Sequence, residues 1–160
     1  MTGTTDGLRG TIASLNSSGG GVPKRPVSMA RVSPAGMDGD QQRDLVHHGG
    51  PDRALCLYSE ERIRALRVEG HPIDAGTTGE NVTIAGIDWN LVVPGVRLSL
   101  GGAEVEITAY ATPCKNIQDS FAGRNIARVS QKVNPGWSRV YARVVRDAEV
   151  RVGDEAAVLP

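Results

Sequence analysis

The sequence is poor in aromatic residues, with two Trp, three Tyr and one Phe among 160 residues. Val, Ile, Leu and Ala must therefore supply most of the core, and a chain of this length can bury one without disulfide staples. Net charge is also missing, because 18 basic residues balance 18 acidic ones. No overall field steers the protein to nucleic acid or to an anionic membrane. No apolar run approaches membrane-spanning length, and Met1 to Gly10 contains no signal-peptide core, so a cytoplasmic location is expected. Only two cysteines occur, Cys56 and Cys114, with no CxxC pair. Free thiols are expected in a reducing compartment, and a structural zinc site lacks its usual ligands.

Glycine, by contrast, is abundant at 20 residues, and the 9 prolines are spread with it as punctuation between short segments. That distribution favours β structure with many turns. Residues 1–7 are expected as a disordered tail before a single domain over 8–160. Strands are expected over Leu8 to Leu15, Val27 to Val32, Ala54 to Tyr58, Val82 to Ile84, Leu91 to Val93, Val96 to Leu100 and Glu104 to Ala109. Three more follow over Val140 to Val145, Glu149 to Val152 and Ala156 to Leu159. Asn16 to Gly21 reads as a flexible loop. Ser59 is suited to cap a helix whose first turn holds Glu60 and Glu61 and which Gly70 ends. A second helical face is expected from Ile117 through Phe121 and Ile126 to Val129, weakened by Gly123. The sum is a β-rich chain with short helices, arranged as a small barrel or a pair of packed sheets.

Chemistry concentrates at Thr112-Pro113-Cys114-Lys115-Asn116. Pro113 cannot donate to a central ladder, so the preceding strand should stop and carry Cys114 out of the sheet beside the charge of Lys115. Such a setting suits a reactive or metal-binding thiolate, while burial as a small hydrophobe is the competing reading. Cys56, inside an apolar strand, reads as core. A second stretch, His47-His48-Gly49-Gly50-Pro51-Asp52-Arg53, offers imidazoles and bare backbone N–H groups suited to an anion or a polar heterocycle, or simply a tight turn. Glu80 could orient a ligand or hold a loop. From Ser120 to Arg146 there is no acid, yet Arg124, Arg128, Lys132, Arg139, Arg143 and Arg146 fall there. That run is either a solvated face or an anion site.

The order of several motifs resembles the MOSC domain, the module at the C-terminus of molybdenum-cofactor sulfurases. They are Gly39-Asp40, His48 to Ala54, Tyr58-Ser59, Gly79-Glu80-Asn81, Pro113-Cys114, Gly136-Trp137 with Tyr141 to Val144, and Val150 to Asp154. The match runs from about Leu8 to the end and is most similar to the stand-alone bacterial branch. The resemblance implies a MOSC-type small β-barrel that binds the pterin-based molybdenum cofactor, with Cys114 ligating molybdenum or carrying a persulfide. His48, Gly49, Gly50, Arg53, Glu80, Asn81, Arg124, Arg139 and Arg143 are the cofactor-binding candidates, and Lys24 is a weaker one. Arginine among them can grip phosphate at two points.

Two functional expectations follow from the resemblance. One is a molybdenum-dependent reductase of N-hydroxylated compounds. Two cysteines cannot hold a four-cysteine cluster, so an external redox partner must supply its electrons. The other is a sulfur carrier whose Cys114 persulfide is loaded by a separate cysteine desulfurase. A ligand-binding barrel with Cys114 in its core is the plain alternative.

Overall fold

Alternation along the chain sets which way each strand faces. In Ala103–Tyr110, Ala103, Val105 and Ile107 are buried while Glu104 and Glu106 between them stay half-exposed, the period-two pattern of a strand with one face on a core. A computed structural model describes residues 7–18, 22–39 and 51–160. Its strands are β1 (Arg9–Ser17), β2 (Arg25–Val27), β3 (Met29–Ser33), β4 (Gly36–Met37), β5 (Leu55–Ser59), β6 (Val82–Ala85), β7 (Arg97–Leu100), β8 (Ala103–Tyr110), β9 (Val140–Arg146), β10 (Ala148–Arg151) and β11 (Glu155–Val158). One helix, α1 (Glu60–Val68), lies between β5 and β6.

Seven strands close a barrel in the order β11-β7-β8-β9-β5-β6-β1, sealed by pairing of β1 with β11, and β2 extends it from β1. Among these strands only β5 and β6 pair in parallel, with α1 in the connection between them, as a parallel pair requires. Strands β10, β3 and β4 form a second, small sheet. The barrel is filled by Ile12, Leu15, Leu55, Leu57, Ile84, Leu98, Leu100, Ile107 and Val140, aliphatic as the composition requires.

The cap of α1 forms as expected: the Ser59 hydroxyl accepts from the Arg62 backbone N–H at 3.1 Å, and Ile63 and Leu66 turn inward. Ser59→Ala is expected to lower unfolding free energy by about 1 kcal/mol. Urea denaturation should show this as a lower midpoint at constant slope.

Three expectations need correction. Leu91 to Val93 is not a strand. The Asp88 carboxylate accepts from the Asn90 backbone N–H at 3.0 Å and starts a 3-10 turn over Trp89–Leu91, which draws the Trp89 indole inward. The second expected strand is split at Ser28, because β2 pairs with β1 in the barrel whereas β3 pairs with β10 in the small sheet. The helix expected through Val129 is instead three 3-10 turns, Lys115–Ser120, Ala122–Arg124 and Ile126–Val129. Gly123 and Arg124, at φ of 63° and 56°, both occupy the left-handed region and interrupt any α-helix there.

Two smaller differences concern the N-terminal part. β1 continues through Asn16 to Ser17, so only the end of the expected loop is left, and residues 19–21 lie outside the described residues. Residues 1–6 of the expected tail also lie outside them, whereas Gly7 bridges to Ile87.

Candidate functional site

Beyond Tyr110 the ladder between β8 and β9 continues for one step, with the Ala111 N–H donating to the Arg139 carbonyl at 2.9 Å. Val140 and Ala142 face the barrel core, so the alternation sends Tyr141 to the other face. There Tyr141, Cys56 of β5 and Ala111 form a small cluster of their own, apart from the main core. Cys56 is thus buried as expected, but on the outer face of the barrel wall. The chain then passes through Pro113 to Cys114, which is half-buried and whose carbonyl accepts from the Ile117 N–H at 3.1 Å to open the next turn. The thiol therefore sits at the strand break that Pro113 predicts.

Charged groups gather round this cluster. The Arg53 guanidinium lies over the Tyr141 ring, 5.3 Å from its centroid. Arg139, only 5% exposed, donates from Nη1 to the Thr78 carbonyl at 2.8 Å. Its Nε and Nη2 are buried and have no hydrogen-bond partner among the described residues. Burial pushes the Cys56 thiol up to about 11, against the pull of the Arg139 charge, so Cys56 stays protonated at neutral pH. Burial also raises the Tyr141 hydroxyl to about 12, with Cys56 and Cys114 adding to the rise and Arg139 and Arg53 opposing it.

Glu80 is fully buried. Its carboxylate accepts from the Gly76 N–H at 3.0 Å, the Thr78 hydroxyl at 2.8 Å and the Thr83 hydroxyl at 3.2 Å. Burial outweighs these bonds and shifts its carboxyl above the usual range. Thr78 thus links Glu80 to Arg139, through its hydroxyl on one side and its carbonyl on the other. Asn81 accepts the Cys56 backbone N–H at its Oδ1, 2.9 Å away, and so fixes β5.

Of the residues singled out in the sequence, Arg53, Glu80, Asn81, Arg139 and Cys114 surround the Cys56–Tyr141 cluster or brace it. Lys24 is buried, and its charge also acts on Cys56. Arg143 is not in this group; it is exposed and paired with Glu106 of β8 at 3.2 Å. Arg124 is exposed on its left-handed turn. His47, His48, Gly49 and Gly50 lie outside the described residues.

His71 and Glu69, which sequence reasoning passed over, hold the segment after Cys114 in place together with Arg128 of the acid-free run. His71 Nδ1 accepts from the Ala122 N–H at 3.0 Å, and its ring packs edge-on against Phe121. Arg128 grips both carboxylate oxygens of Glu69, at 2.9 and 2.7 Å, and lies over the Trp137 ring, which Arg62 also approaches. Nothing in the local sequence around His71 signals this, since its partners are about 50 residues away. His71→Ala is expected to leave the Ala122 N–H without its acceptor and to cost about 1 kcal/mol locally. Amide exchange at Ala122 should accelerate about fivefold while β8 and β9 stay protected.

Comparison with known proteins places this geometry among relatives. Residues 44–157 match the MOSC domain family. YflK of Bacillus subtilis, itself uncharacterized, is 30% identical over 141 residues, 87% of this chain and 63% of YflK. YiiM of Escherichia coli is 31% identical over 107 residues, 64% of this chain and 48% of YiiM. The chain thus spans less than two thirds of the length of these curated relatives. Among solved structures, YiiM from Geobacillus stearothermophilus superposes with a TM-score of 0.71 at 23% identity, covering 94% of this chain and 75% of that one. YuaD from Bacillus subtilis superposes with a TM-score of 0.76 at 18% identity, covering 94% of this chain and 96% of that one. These two share the fold.

Proposed function

Because the chain belongs to the MOSC domain family, which is associated with molybdenum-cofactor binding, we propose that it binds the pterin-based molybdenum cofactor through Cys114. On this proposal it acts as a reductase of N-hydroxylated compounds whose electrons come from another protein. The observation that supports the binding step is Arg139. A buried guanidinium with two nitrogens unpartnered among the described residues is costly to maintain and is relieved by an anion with oxygen acceptors. A pterin phosphate is such an anion, so the residues present suit the group.

Arg139, with Arg53 near it over Tyr141, would take the phosphate, and the thiolate of Cys114 would hold the metal. His48, Gly49 and Gly50 remain candidates for the pterin, being only a few residues before Arg53 in the chain. When bound, the cofactor supplies two-electron redox chemistry. The chain supplies the rest. Cys56 stays protonated and does not compete as a ligand. Tyr141 keeps its proton as a donor at neutral pH. Glu80 and Asn81 hold the loop and strand that carry these groups.

The test is metal and pterin analysis of the protein purified from a host that makes the cofactor. Stoichiometric molybdenum with a phosphorylated pterin is the expected result, and protein free of both would overturn the proposal. Cyanide-releasable sulfur on Cys114 without molybdenum would replace it with the sulfur-carrier reading. A half-exposed thiol suits that reading too, because a desulfurase could reach it.

A further inference from the structure

The β8–β9 ribbon has a second functional face. Tyr110 pairs with Val140, and both belong with the main core, on the side opposite Tyr141 and Ala111. On that side lies a cavity of about 230 Å³ lined by Trp89, Asn90, Val92, Val93, Tyr110, Gln131, Pro135, Gly136 and Ser138. We propose that this cavity, walled by Trp89 and Tyr110 and edged by the side-chain amides of Asn90 and Gln131, binds a small uncharged planar molecule carrying a hydrogen-bond acceptor.

Three observations carry this. First, none of the lining side chains is charged, although about a fifth of the chain is, at 22%; the Arg62 guanidinium that touches the wall is already engaged by Asn90 Oδ1, the Gly136 carbonyl and the Trp137 ring. Second, the aromatic wall is prebuilt. The Trp89 indole N–H donates to the Ser138 carbonyl at 2.9 Å, and its ring meets Tyr58 edge-on at 6.0 Å, so the ring cannot swing to fill the space. Aromatic walls with a few fixed polar groups are the usual make-up of a small-molecule pocket. Third, both amides are oriented. Asn90 Oδ1 accepts from Arg62 at 3.2 Å, and Gln131 Oε1 accepts from the Gly136 N–H at 3.0 Å. With the oxygens held, the NH₂ ends are left as donors, which selects an acceptor such as a carbonyl or a heteroaromatic nitrogen.

This site is independent of the cofactor proposal, being on the other face of the ribbon, and its test uses cofactor-free protein. Nicotinamide is a suitable probe, with nicotinate as its anionic isostere. Proton–nitrogen correlation spectra should show saturable shifts at the Trp89 indole N–H and at the Asn90 and Gln131 side-chain amides. Nicotinate should bind about tenfold more weakly, since its carboxylate must shed water while the Arg62 charge is already taken up by Asn90, Gly136 and Trp137. Gln131→Leu should weaken nicotinamide about fivefold by removing one hydrogen bond. Val93→Phe should occlude the cavity and abolish the shifts, with near-ultraviolet circular dichroism reporting that the fold is kept. Absence of saturable shifts would overturn the proposal. So would equal binding of nicotinate, or nicotinamide binding unaffected by Gln131→Leu, the variant that decides the matter if Val93→Phe does not fold.

Discussion

Cys114→Ser is expected to remove bound molybdenum from the purified protein and with it any reductase activity, while the fold stays intact. On the proposed function, a serine hydroxyl is a hard, protonated donor in place of a soft sulfur ligand, and its effect should exceed the roughly tenfold to hundredfold cost of disturbing a supporting residue. Stability should change by no more than about 0.5 kcal/mol, because the thiol is only half-buried and its backbone, not its side chain, starts the following turn. Cys56→Ser should do the reverse. That thiol is buried beside Tyr141 and Ala111, so a hydroxyl there costs about 1–3 kcal/mol of stability. Molybdenum content should be retained. Elemental analysis beside thermal melts of both variants reads the two effects separately. Equal metal content in wild type and Cys114→Ser would exclude Cys114 as the ligand.

Arg139→Met is expected to lose the pterin phosphate yet leave the cofactor-free protein close to wild-type stability. Among the described residues only Nη1 has a partner, the Thr78 carbonyl, whereas Nε and Nη2 are buried without one. Removing the side chain therefore gives up one bond and also removes two unsatisfied donors, effects that oppose each other. Bound anion, by contrast, loses two charge-assisted hydrogen bonds worth about 1.5–3 kcal/mol each, or at least about a hundredfold in affinity. Arg139→Lys should recover little, since an ammonium cannot present two parallel donors. Phosphate titration followed by calorimetry, with melts in phosphate-free buffer, separates binding from folding. A large drop in melting temperature without any change in anion affinity would make Arg139 a structural residue.

The barrel strands were readable because their faces alternate: Val140, Ala142 and Val144 announce β9 whatever their partners are. The position of Cys114 was readable for a related reason, since Pro113 ends a ladder in any sheet. Arg139 could be named from sequence but not distinguished from Arg143, as both lie in one acid-free run. What separates them is tertiary: the backbone of Arg139 pairs with Ala111 and its side chain turns to Thr78, while Arg143 meets Glu106 across the strand. Leu91 to Val93 misled because three apolar residues suit a strand or a buried turn equally, and the Asp88 cap decides between them. The segment after Cys114 has a helical spacing of apolar residues, but two successive left-handed residues at Gly123 and Arg124 override it.

Closure of the barrel also governs when the protein can form during synthesis. The sealing pair joins Arg9 to Ala157 and Thr11 to Glu155, so β1 leaves the ribosome well before the partner that seals it. Hairpins such as β7–β8 can form locally, but the seal between β1 and β11 stays open until β11 has emerged. Such non-local topology slows folding and prolongs exposure of unpaired strand edges. A nascent chain of this design is therefore most in need of a chaperone until β11 has emerged.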